Sequence, residues 1–164
     1  MKITNIQIRE TEDKDFKDIM EIEEQAFGHN KEADLTADLL KDETAKPILS
    51  LLAFHKSDAV GLLFTRVCIN HRENQSLVHI LAPLAVKPEY QKRGIGGMLI
   101  NEGLRRLKKM GSEMVFVLGH MGYYPRFGFT PDAGTLGFSA PFPIPEKYRN
   151  VWMVQALDPK KKFY

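Results

Sequence analysis

Cys68 is the only cysteine in 164 residues, which excludes an internal disulfide and leaves no thiolate cluster for zinc. The five histidines (29, 55, 71, 79 and 120) are scattered without an H-x-x-x-H or H-E-x-x-H spacing, so no resident metal is expected. No apolar run approaches the roughly 18 residues of a membrane-spanning helix. The N-terminus, Met1-Lys2-Ile3-Thr4-Asn5, lacks the apolar middle of a signal peptide. A cytoplasmic protein without a membrane partner is the expectation. Low-complexity blocks and long linkers are also missing, and 43% of the residues are hydrophobic. One domain over residues 3–157, followed by a basic tail at 158–164, accounts for the length. Cys68 lies between Val67 and Ile69 and reads as core packing rather than as a nucleophile.

Charge is present but unevenly spread. Residues 10–43 hold 13 Asp or Glu against 4 Lys or Arg, a net of −9 in a chain whose total is +2. The basic remainder includes Lys87, Lys92 and Arg93. It has no basic helix interleaved with aromatics and no recognised nucleic-acid motif, so a nucleic-acid partner is not expected. The acidic stretch fits the solvated faces of two helices or a surface for a cationic ligand.

The most informative segment is Val86 to Gly97, V-K-P-E-Y-Q-K-R-G-I-G-G. An apolar run from Leu77 to Val86 stops at Lys87-Pro88, and a helical pattern begins at the glycines and lasts to Lys109. A strand, a glycine-rich turn and a helix N-terminus in that order form an anion site, because the first helical N–H groups lack intrahelical acceptors. Glycines 94, 96 and 97 admit a ligand to the backbone. A P-loop is excluded because neither Lys nor Ser/Thr follows Gly96-Gly97. A dinucleotide fingerprint is excluded because Met98 and Leu99 follow Gly94-Ile95-Gly96 with no third glycine in place.

Gln91-Lys92-Arg93-Gly94-Ile95-Gly96 meets the pattern Q/R-x-x-G-x-G/A, preceded by Pro83 to Pro88 and followed by Tyr124-Pro125-Arg126-Phe127-Gly128-Phe129, which meets Y-x-x-x-G-F. In these elements and their order the chain resembles the GNAT superfamily of N-acetyltransferases, closest to its small bacterial members, over nearly its whole length. The resemblance implies an α/β fold with a mixed central sheet flanked by helices, and acetyl-CoA as co-substrate. It implies that backbone at Leu84, Ala85 and Val86 aligns pantetheine. Backbone N–H groups of Gln91, Lys92, Arg93, Gly94, Ile95, Gly96 and Gly97 then hold the pyrophosphate. The family's central strand often bulges and splays from its parallel neighbour, and Pro83, without an N–H, suits that break. Tyr124 takes the position of the tyrosine that protonates the thiolate of coenzyme A, with adjacent Tyr123 as competitor. Many relatives carry an Asn near the end of the preceding strand where Val117 stands here, so the link to Tyr124 departs from the pattern.

The elements around these motifs follow from periodicity. Strands fit residues 3–9, 48–55, 59–69, 77–86, 114–118 and 151–157. Helices fit the stretch from a cap at Thr11 or Asp13 to about Phe27, and Glu32 to Lys41. In the helix after the glycine turn, Leu99, Ile100, Leu104, Leu107 and Met110 share one face with Gly96 and Gly103, which implies close packing on a sheet. Lys56-Ser57-Asp58 makes a hairpin turn and residues 71–75 a polar turn. From Tyr123 to Tyr148 lie seven of the 15 Phe and Tyr residues, among five prolines, a rigid aromatic loop.

The general base is open: the central strand offers no carboxylate and only His79 titrates near neutrality, Glu23 lies on an apolar helix face where burial raises a carboxyl pKa, and His120, between the strand and Tyr123, is a further candidate. A water chain is the alternative. The expected function is transfer of acetyl to a primary amine on a small molecule or peptide, by a monomer or homodimer. A noncatalytic acyl-CoA sensor on the same fold is the rival.

Overall fold

Alternation in Ile6-Gln7-Ile8-Arg9-Glu10 produces an edge strand, β1 (Ile6–Glu10), in the computed structural model, which describes residues 3–67 and 77–157. Buried Asp15 then fixes the next turn. Its carboxylate accepts from both terminal guanidinium nitrogens of Arg9, at 2.7 and 2.9 Å, and from the N–H of Glu12 at 2.7 Å. The Arg9 contact holds the Asp15 carboxyl below its ordinary pKa. The helix start is therefore organised by Glu12 and Asp15 rather than by a Thr11 or Asp13 cap. One 3₁₀ turn (Asp13–Asp15) leads into α1 (Phe16–Phe27), and α2 (Lys31–Lys41) follows.

A hairpin joins β2 (Leu49–His55) to β3 (Asp58–Val67). Lys56 takes the left-handed conformation, and Asp58 belongs to the strand, paired with His55. The expected turn at 71–75 and Cys68 lie outside the described residues. Next come β4 (Val78–Val86), α3 (Ile95–Met110), β5 (Met114–Leu118) and β6 (Trp152–Ala156). The six strands stand side by side in chain order. All neighbours are antiparallel except β4 and β5, which are parallel because α3 carries the chain back across the sheet between them.

Helices cover both faces. Leu99, Ile100 and Leu107 of α3 share a core with Leu51, Leu63, Leu81, Val117 and Met153. On the other face Ile19 and Ile22 of α1 pack with Leu52, Leu62 and Ala85. At Gly103 a Cβ would come within 3.1 Å of the Leu63 side chain, so the glycine lets α3 settle on β3. Met110, expected on the buried stripe, is 37% exposed, because the helix ends there at Gly111. A third cluster forms where Phe138 and Phe142 of the proline-rich segment cover Phe116 and Trp152. Trp152 stacks on Phe116 and donates its indole N–H to the Phe138 carbonyl at 2.9 Å. The segment is thus anchored by rings, by the indole hydrogen bond and by backbone bonds from Thr130 and Ala133 to β6.

The irregularity that matters for function lies in β4. Leu63 pairs with Leu84 and Thr65 with Leu81, so Ala82 and Pro83 stand together opposite Phe64, a bulge at the residue that has no N–H to pair. Pairing with β5 ends at Leu81 and Val117. Beyond it, Leu84, Ala85 and Val86 pair only with β3. A wedge opens between two parallel strands, with unpaired backbone on its β4 side.

Candidate functional site

The turn after β4 is built by local hydrogen bonds. The Lys87 N–H donates to Val60 O, a 3₁₀ turn covers Pro88–Tyr90, and the Gln91 side-chain amide donates to Val86 O at 2.9 Å. Lys92 and Gly94 adopt positive φ, 63° and 88°. Glycine takes this conformation without Cβ strain at the N-cap of α3. The first helical bond of α3 runs from Met98 N–H to Gly94 O. The N–H groups of Ile95, Gly96 and Gly97 therefore point out of the helix end without intrahelical acceptors. Ile3 ties the turn to the N-terminal segment through its N–H to Arg93 O at 3.2 Å.

Facing this helix end is a second turn. After β5, the N–H groups of Tyr123 and Tyr124 both donate to His120 O at 3.1 Å, and Tyr124–Phe127 forms a 3₁₀ turn. Gly128, at φ 98°, reverses the chain, and the Gln155 side chain donates to Phe127 O at 2.8 Å. Tyr124 lies against Gly119 and edge-on to Tyr123 and Phe129. Burial, reinforced by Tyr123, pushes its phenol up to about 12. Its hydroxyl makes no hydrogen bond among the described residues. Tyr123 reaches further across: a Cβ at Gly96 would lie 2.7 Å from its hydroxyl oxygen, and one at Gly97 3.0 Å from the Phe127 ring. The Tyr123 phenol is also raised, by burial against the opposing charge of Arg126.

Between the two turns is a cavity of about 1070 Å³. Leu84 and Val86 of β4, the turn and helix start from Tyr90 to Met98, and His120, Tyr123, Tyr124 and Phe127 line it. A wide, largely apolar cleft ending on unpaired helical N–H groups suits a long ligand with an anionic end.

The sequence model of the acetyltransferase (GNAT) domain matches residues 7–131. YjhQ of Escherichia coli strain K12, an uncharacterized N-acetyltransferase, is 55% identical over 148 residues, which are 90% of this chain and 82% of YjhQ. The chain belongs to the GNAT acetyltransferase family. Among solved structures, the GNAT protein YhbS of Escherichia coli in complex with CoA matches with a TM-score of 0.81 at 26% identity, over 93% of this chain and 82% of that one. A GNAT acetyltransferase of Brucella melitensis in complex with acetyl-CoA gives 0.74 at 28% identity, over 94% and 90% of the two chains.

Not every residue singled out from the sequence of this GNAT chain reaches the cavity in the expected way. Gln91 lines it, but its own N–H donates to Pro88 O at 3.3 Å. It shapes the turn instead of offering a free donor. Ala85 turns its side chain under α1 and Ile95 is buried in the core, so each has only backbone to offer. The tyrosine sits on a single 3₁₀ turn, consistent with the shortened link seen at Val117. Tyr90, Met98, Asn101 and Arg126 line the cavity without having been singled out. Asn101 is exposed on α3, and its face of the helix borders the cleft.

Of the three candidate bases only His120 lines the cavity. His79 is buried at the far end of β4, with its two ring nitrogens 2.9 Å from the Ser112 hydroxyl and 2.8 Å from the Pro47 carbonyl. Burial lowers its pKa, and the imidazole serves as a neutral link between segments. Glu23 is fully buried between α1 and α2, where Thr36 donates to its Oε1 at 2.7 Å and Oε2 has no partner among the described residues.

Desolvation raises the Glu23 pKa from 4.5 to about 7, against the Thr36 hydrogen bond and with help from Glu32. The folded chain therefore keeps a proton that the unfolded chain has released. This contribution is complete below about pH 4.5 and is lost as pH rises to about 7, a decline of up to about 3 kcal/mol. Glu23→Gln is expected to remove most of it, read as urea midpoints that no longer fall between about pH 5 and about pH 8.

Proposed function

We propose that this chain transfers an acetyl group from acetyl-CoA to a primary amine of a small molecule or peptide, by direct attack of the bound amine on the thioester. The observation that carries this reading is one cavity joining three parts: the free N–H groups at the start of α3, the unpaired edge of β4 at Leu84–Val86, and the Tyr124 hydroxyl. CoA in YhbS and acetyl-CoA in the Brucella melitensis protein support the choice of ligand.

The residues present fit the donor. Ile95, Gly96 and Gly97 offer backbone N–H groups to a diphosphate, in a cradle that a Cβ at Gly96 would fill. Lys92 and Arg93 add positive charge beside it. Backbone of Leu84–Val86 aligns an amide-bearing chain as another strand would. Bound there, acetyl-CoA supplies an activated acyl carbon. The C–S bond breaks as the N–C bond forms; the nitrogen gives up a proton in becoming an amide, sulfur gains one from Tyr124, and the phenol is reprotonated in turn. Tyr124 holds a proton for that sulfur: its raised pKa keeps the phenol neutral at any working pH, able to donate where thiolate charge develops. His120, the candidate base in the cavity, takes the proton from the incoming ammonium.

A thermal shift followed by an activity assay tests the reading. Acetyl-CoA at about 100 times its Kd should stabilise the protein by about 2.7 kcal/mol, several degrees in Tm, whereas ATP and NAD should not. An amine panel assayed for free thiol should then yield a substrate. Equal shifts with ATP would remove the ligand assignment. Tight acetyl-CoA binding without turnover on any amine would favour a noncatalytic sensor.

A further inference from the structure

A second cavity, of about 610 Å³, shares no residue with the first. Its apolar surface comes from Phe16 and Ile19 of α1 and Leu40 of α2. Charges of opposite sign reach it from different elements. Glu10 ends β1 and Asp13 lies in the turn before α1, whereas Lys41 is the last residue of α2. None of these three side chains forms an ion pair or hydrogen bond among the described residues. The neighbouring charges on the same rim are already engaged, Glu12 with Arg9 and Lys14, and Lys46 with Glu43. Ser50 of β2 also lines the cavity; it is 6% exposed, and its hydroxyl is buried without a partner among the described residues.

An unpaired buried hydroxyl costs stability that a ligand's polar group in the cavity would recover. Free acids at the end of β1 and in the turn before α1, a free lysine at the end of α2 and apolar surface between them match a molecule carrying both charges at its ends. A plain cation would leave Lys41 unsatisfied, and a plain anion would meet Glu10 and Asp13.

We propose that this cavity is a second small-molecule site, separate from acetyl transfer, for a zwitterion with an apolar segment between its amino and carboxylate groups. The ammonium lies against Glu10 and Asp13, the carboxylate against Lys41, and the methylenes over Phe16, Ile19 and Leu40. Ser50 Oγ hydrogen-bonds a polar group at the floor.

Calorimetry on the full chain tests it, with ε-aminocaproate as the probe and hexylamine and hexanoate as its singly charged counterparts. The zwitterion should bind at least about tenfold more tightly than either. Lys41→Glu, at an exposed position that leaves the fold intact, should weaken the zwitterion by about tenfold and strengthen hexylamine. Ser50→Ala should weaken binding while raising Tm, because the buried hydroxyl goes. Absence of binding by the zwitterion, equal binding of hexylamine, indifference to Lys41→Glu, or displacement of the probe by acetyl-CoA would each overturn the proposal.

Discussion

Acetyl-CoA affinity is expected to fall by at least about 100-fold in Gly96→Glu, a loss of about 3 kcal/mol. Two effects combine. The new Cβ would lie 2.7 Å from the Tyr123 hydroxyl and 3.6 Å from a Leu84 methyl, closing the cleft from the helix side. The carboxylate then brings negative charge to the place where unpaired N–H groups are to receive a diphosphate. Gly96→Ala separates the two effects: it adds the Cβ without the charge and should lose only about tenfold, since the Tyr123 hydroxyl end can yield. Neither substitution should unfold the chain, because alanine and glutamate favour a helix over glycine by up to about 1 kcal/mol. Calorimetry on folded variants decides, and unchanged affinity in Gly96→Glu would move the phosphate site elsewhere.

Tyr124→Phe should lower kcat by about 100-fold or more while leaving the affinity for acetyl-CoA within a few fold, the pattern of a positioned acid. The ring contacts with Gly119, Tyr123 and Phe129 survive the change, and the lost hydroxyl has no hydrogen bond among the described residues to forfeit. Stability is therefore a weak confounder. Because burial lifts the phenol to about 12, it stays protonated below that pH, and the substitution should leave any alkaline limb of the rate profile in place. Tyr123→Phe is the control. It loses a hydroxyl that faces Gly96 rather than the splayed strands, and should keep kcat within a few fold. Impairment of the Tyr123 variant alone would transfer the acid role by one residue. Normal turnover in both would leave the thiolate departing without a tyrosine.

The parts of the site that came from contiguous sequence were legible. Gly94-Ile95-Gly96-Gly97 between an apolar run and a helical pattern identified a helix N-terminus open to an anion, because the reason for each glycine is local backbone geometry. Pro83 marked the break in β4 for an equally local reason, its missing N–H. Glu23 and His79 misled because helical stepping and ionisable chemistry say which way a side chain faces but not what it meets. Thr36 and Glu32 surround the first, and Ser112 and Pro47 hold the second, both away from the cleft. Tyr90, Asn101 and Arg126 went unnoticed because the cleft they line exists only where β4, α3 and the Tyr124 turn converge.

By itself the sequence determined the run of strands and helices, the glycine-rich helix start and the family motifs, since each rests on periodicity, turn chemistry or steric freedom within a short stretch of chain. Tertiary structure alone decided which titratable groups share a space. It opened the wedge beyond Leu81 and Val117 and brought Tyr123 to within contact of Gly96. It enclosed Glu23 completely while leaving His120 in the cavity. The physical reason is that burial and field, which set a pKa and a reaction partner, come from residues far apart in the chain, and no local pattern encodes their meeting.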